Sequence, residues 1–105
     1  MKIQVNSDNQ IAMKEPLSTF VEGEVERALE RFKDRLTRVE VHVSDENSAA
    51  KRGVADKRCV IETRPTGLNP LSVSDAAATV EAAVTGASNK MKRLLETTFG
   101  KQAKK

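Results

Sequence analysis

The chain has 105 residues, 38% of them apolar and 31% charged, with five Gly and three Pro. That is the composition of one globular domain of about 100–150 residues, and it excludes a disordered or repetitive polymer. The formal net charge of +3 is unevenly divided: residues 1–50 carry seven Lys/Arg against ten Asp/Glu, and residues 51–105 carry eleven against five. No stretch approaches the ~20 apolar residues of a membrane span, and Met1 to Asp8 has no apolar run of signal-peptide length. Cys59 is the only cysteine, so no internal disulfide forms, and a cytoplasmic protein is expected.

In chain order, Lys2 to Asn6 alternates polar and apolar, with Ile3 and Val5 on one face, as a half-buried strand does. The period then changes. Leu17, Phe20, Val21, Val25, Ala28, Leu29, Phe32 and Leu36 recur at spacings of three and four, predicting one apolar stripe on a helix entered near Pro16. Its charges run from Glu22, Glu24 and Glu26 to Arg31, Lys33 and Arg35, the order that suits the helix dipole.

Arg38 to Ser44 alternates again, with Val39, Val41 and Val43 inward and Glu40 and His42 outward. Asp45 to Gly53 reads as a polar loop. Lys57 to Arg64 predicts a third strand with Cys59, Ile61 and Thr63 inward, and Pro65-Thr66-Gly67 has turn chemistry. Leu71 and Val73, with Ser72 and Ser74 outward, predict a short fourth strand. Asp75 is placed to cap a last helix whose buried stripe is Val80, Val84, Ala87, Met91 and Leu94 or Leu95, with Gly100 as its stop.

The order β-α-β-β-β-α, every element apolar on one side, specifies an α+β fold: a four-stranded sheet with two helices packed on one face. The domain is expected over 1–100, with a basic tail over 101–105. The other sheet face would present Lys2, Gln4, Arg38, Glu40, His42, Arg58, Glu62 and Arg64.

Catalytic chemistry is poorly served. His42, the only histidine, and Cys59 fall on opposite strand faces, which precludes the three or four convergent ligands of a zinc site. Phosphate-loop, nucleophile-elbow and H-E-x-x-H motifs are absent. No enzyme, metal or cofactor is therefore expected. Phe20, Phe32 and Phe99 are the only aromatics, two of them on the first helix's core stripe, so a base-stacking platform is lacking. Nucleic acid would be held by phosphate contacts and shape. The cations for this cluster late: residues 89–105 hold Lys90, Lys92, Arg93, Lys101, Lys104 and Lys105 against Glu96 alone.

Over nearly its whole length the chain resembles the hibernation-promoting factor and ribosome-associated inhibitor family, in its short form. The resemblance is carried by Ile3-Gln4-Val5, by Phe20-Val21-Glu22 to Leu29-Glu30-Arg31-Phe32, by Val39-Glu40-Val41, and by Ala82-Ala83-Val84 followed by Asn89-Lys90-Met91-Lys92-Arg93-Leu94-Leu95. It implies a translation inhibitor that binds the small ribosomal subunit through rRNA phosphates and acts on idle ribosomes in stress, with no small-molecule substrate and no membrane. Carried over by position, Lys90, Arg93 and Lys101 are RNA-binding candidates, followed by Lys92, Arg27 and Arg31. Where the family tends to have an aromatic, an acid and basic residues, this chain has Glu81, Thr85, and Thr97 with Thr98, so its basic face is thinner. The alternative is a diverged member acting as a protein interaction module without ribosome binding.

Overall fold

Each switch of hydrophobic period marks a change of element in the computed structural model, which describes residues 1–8, 11–46 and 56–103, the last three as backbone. The elements are β1 (Lys2–Ser7), α1 (Leu17–Leu29), a 3-10 segment (Glu30–Arg35), β2 (Leu36–Asp45), β3 (Lys57–Pro65), β4 (Leu71–Ala77) and α2 (Val80–Ala103). The sheet order is β1-β2-β3-β4, with β1 parallel to β2 and the other neighbours antiparallel. The α+β order β-α-β-β-β-α is therefore as the periodicity specifies.

The core lies between the sheet and the two helices. Val21, Val25 and Leu29 of α1 and Val84, Ala87, Met91 and Leu95 of α2 are fully buried, as are Val39, Val41, Cys59, Ile61 and Thr63 of the strands. Burying a side chain of Val or Leu size contributes roughly 1.5–3 kcal/mol, so this one face carries most of the stability. Thr63 stays satisfied there, its Oγ1 donating to Met91 Sδ at 3.6 Å. The opposite sheet face keeps Arg38, His42, Arg58 and Arg64 exposed, which fixes both helices on one side.

Several local expectations are overturned. Leu36 is not on the first helix: α1 ends at Leu29, and the 3-10 segment brings Phe32 onto the buried side three residues later. Leu36 then turns extended, at φ −116 and ψ 125, and opens β2 with 3% of its surface exposed. Phe20 is not core but 38% exposed, because Val21, Val25 and Leu29 fill the stripe and leave it at the rim. The buried aromatic pair is instead Phe32 and Phe99, with ring centroids 5.6 Å apart.

Asp75 does not cap α2. It lies within β4, opposite Cys59 in the ladder, and the cap is Thr79, whose Oγ1 accepts from the Ala82 N–H at 3.1 Å. The helix also runs through Gly100 to Ala103, since that glycine keeps a helical, negative φ; the only positive-φ glycine among the described residues is Gly67, at 78°, in the expected turn. Of the expected polar loop, Asp45 belongs to β2 and the Glu46 N–H donates to the Asp56 carbonyl at 2.7 Å. Residues 47–53 lie outside the described part.

At its start β2 carries a β-bulge. Leu36 pairs with Pro65 and Arg38 with Arg64, so Thr37 is the extra residue. Leu36 and Val39 are both buried, at an odd spacing that plain alternation cannot turn to one face. The bulge resolves this and leaves Thr37 and Arg38 adjacent on the solvent side.

Candidate nucleic-acid interface

The two helices run in the same direction, since Glu24 of α1 meets Thr85 of α2 and, further along, Arg31 meets Glu96. Their apolar stripes point into the core, so the cations between those stripe positions form the solvent surface of the helix layer. Arg27, Arg31, Arg35, Lys90 and Arg93 are exposed there and Lys92 is half-buried.

These cations differ in what they already hold. Arg27 Nη2 donates to Glu24 Oε1 at 2.6 Å, and Glu24 also accepts from Thr85 Oγ1 at 2.8 Å. The bonds from Arg27 and then Thr85 hold the Glu24 carboxyl below the ordinary carboxylate range, outweighing its partial burial. Arg31 Nη1 donates to Glu96 Oε2 at 3.0 Å across the helix pair, and its guanidinium carbon stands 5.3 Å from the Phe32 ring centre. Such exposed pairs contribute about 0–1 kcal/mol each and yield readily to a competing phosphate.

Lys90 is tied more firmly. Its Nζ donates to the Ser74 carbonyl at 3.0 Å and to Asp75 Oδ1 at 3.3 Å, strapping α2 to the edge strand β4. One turn earlier the helix lies close against β4 at Gly86, where a Cβ would stand 2.8 Å from Asp75 Cγ. Arg93 and Lys92 have no ion-pair partner within 4.0 Å among the described residues. Lys101 lies on the α2 backbone, and its side chain is outside the described part.

Sequence reasoning missed Arg35. Its guanidinium carbon lies 3.7 Å from the centre of the Phe99 ring, on the same edge as Arg31. Arg27, Arg31 and Arg35 recur every four residues, a spacing that could have found it, although the segment that carries Arg35 is a 3-10 helix.

His42 is half-exposed on the outer sheet face with its Nε2 3.8 Å from Glu40 Oε1. Cys59 is fully buried on the other face, where desolvation pushes its thiol pKa up to about 12. The two therefore cannot act on one substrate. No group of three or more His, Cys, Asp or Glu side chains placed to hold a metal occurs among the described residues, nor any helix long and apolar enough to cross a membrane.

A family model described as "Sigma 54 modulation protein / S30EA ribosomal protein" matches residues 3–103. No curated protein matches the chain. Among solved structures it is similar to the N-terminal domain of Protein Y from Thermus thermophilus, at 18% identity and a TM-score of 0.73, covering 93% of this chain and 99% of that one. It is also similar to a ribosomal subunit interface protein from Coxiella burnetii, at 12% identity and a TM-score of 0.77, covering 95% and 99% respectively. At these identities the two structures establish the shared fold.

Proposed function

We propose, from the premise that this chain belongs to the Sigma 54 modulation protein / S30EA ribosomal protein family, that it is a cytoplasmic ribosome hibernation factor. It binds the small ribosomal subunit through rRNA phosphates and blocks translation by occupancy, without catalysis. The observation that carries the reading is the row of cations on the helix layer. Arg93 and Lys92 are unpaired among the described residues, and Arg27, Arg31 and Arg35 extend the surface across α1 and the 3-10 segment. Phosphates need only such projecting N–H donors, whereas base readout would need exposed rings beside them. The two rings at that end, Phe32 and Phe99, are 6% exposed and lie under the guanidinium groups of Arg31 and Arg35.

Lys90 contributes as a member already bound to Asp75, and Lys101 extends the same helix. Reversing Lys90 would set a carboxylate against Asp75 and confuse binding with folding, so Lys92→Glu with Arg93→Glu is the cleaner variant. Its melting temperature should stay within a few degrees of wild type while cosedimentation with purified small subunits is lost at moderate salt. Equal pelleting of variant and wild type across a salt series would refute the reading.

A further inference from the structure

The solvent face of the sheet carries a second set of cations, built independently of the helices. Register puts Lys2 of β1 opposite Arg38 of β2, and Arg38 opposite Arg64 of β3. The three stand in one row across the strands, about 10 Å from end to end at ~4.8 Å per strand. All are exposed, the side chains of Arg38 and Arg64 by 46% and 54%. Like charges directly opposite one another weaken a ladder, and the flanking pairs with Glu40 and Glu62 offset that repulsion only in part, being exposed pairs worth about 0–1 kcal/mol each.

The row behind it has the opposite sign. Gln4, Glu40 and Glu62 align there, and Glu40 and Glu62 lie 3.6 and 3.9 Å from Arg38 and Arg64. Gln4 also accepts a hydrogen bond from Arg38. These neighbours orient the guanidinium groups from one side, and a guanidinium with five donors can take further acceptors on the other. The bulge lies beside the row: it turns Thr37 outward next to Arg38, and Thr37 Oγ1 donates to the Arg64 carbonyl at 3.0 Å, linking β2 to the strand that bears Arg64.

We propose that Lys2, Arg38 and Arg64 form a second phosphate-binding surface, so that the domain engages RNA on both of its faces. The RNA strand crosses β1, β2 and β3 at right angles, because a path along the strands would bring its phosphates onto Glu40 and Glu62. A protein partner is disfavoured by the absence of an anchor: the one large aliphatic side chain of this face among the described residues, Val60, pairs with His42 two rows away. The choice of RNA as partner rests on the function proposed above; the geometry of the row does not.

The test uses a 20-nucleotide oligo(U) RNA, with salt-dependent anisotropy and native mass spectrometry. The wild type should take up two oligonucleotides. Lys2→Gln/Arg38→Gln/Arg64→Gln should take up one and lose about two units of salt slope, at ~0.7 per single-strand phosphate contact; Arg64→Gln alone should lose about 0.7 and covers the event that the triple variant unfolds. The helix variant Lys92→Gln/Arg93→Gln should also take up one. Loss of the row's contribution with an unaffected helix variant would support this surface and refute the helix one. A row variant that keeps two oligonucleotides and the wild-type slope would overturn the proposal, and so would displacement of RNA from the helix variant by poly-glutamate as efficiently as by oligo(U) of equal charge. A wild type with no salt-dependent RNA binding would overturn both readings.

Discussion

Replacing Gly86 with alanine sets two opposed effects against each other, and their balance is readable from the structure. Alanine in a helix interior is favoured over glycine by about 1 kcal/mol. At this position, however, the added Cβ lies 2.8 Å from Asp75 Cγ and 3.4 Å from its Cβ, with the carboxylate oxygen Oδ2 closer still. Asp75 can swing away only by giving up the bond from its other oxygen to Lys90. Overpacking of this kind costs about 1–3 kcal/mol, so Gly86→Ala should destabilise by roughly 0–2 kcal/mol. In an Asp75→Ala background the obstruction is gone and the same substitution should stabilise by about 1 kcal/mol. The coupling energy from a double-mutant cycle in urea is thus expected at about 1–3 kcal/mol. A Gly86→Ala that raises the urea midpoint equally in both backgrounds would refute the argument that this glycine is required by the approach of α2 to β4.

Ser88 Oγ is buried without a hydrogen-bond partner among the described residues, so Ser88→Ala should stabilise by about 0.5–2 kcal/mol in chemical denaturation. The Cys59 thiol is raised from the ordinary 9.0 to about 12. Between those values the unfolded chain has lost a proton that the native one keeps, so stability should fall as pH rises from 9 toward 12, by at most ~1.4 kcal/mol per pH unit. Cys59→Ala should flatten that limb. Phe99→Ala, which removes one ring of the buried pair and the surface under Arg35, should cost about 3–5 kcal/mol and show as a large drop in melting temperature. Arg31→Gln breaks an ion pair whose side chains are 68% and 39% exposed, and should cost under about 1 kcal/mol.

The parts of the fold legible from the sequence are those in which period and burial agree. Val39, Val41 and Val43, or Cys59 and Ile61, can lie on one face only if the chain is extended, and the structure buries all five. Leu36 failed because four residues after Phe32 fits an α-helical stripe just as well as the start of a strand; a 3-10 segment and a bulge, neither with a sequence signature, separate the two. Asp75 has the chemistry of a cap, but strand pairing with β3 outweighed it and Thr79 took the role. The site was legible as a list of cations and not as a surface. That Lys90 is strapped to Asp75 while Arg93 is not depends on which face of α2 meets β4, and the row of Lys2, Arg38 and Arg64 depends on the register of β2 with both of its neighbours.

Because the strands lie in the sheet in the order in which they occur in the chain, each ladder forms against a neighbour already made. The lid over half of the core arrives last. α2 contributes Val84, Ala87, Met91 and Leu95, and its 24 residues take roughly 1–5 s to synthesise at 5–20 residues per second. During that interval a nascent chain with its sheet complete exposes a strip of Cys59, Ile61 and Thr63 on β3 to solvent or to another chain. Slowing synthesis within α2 should therefore lower the yield of soluble protein more than an equal pause before β2, where no apolar sheet face yet exists to be left uncovered.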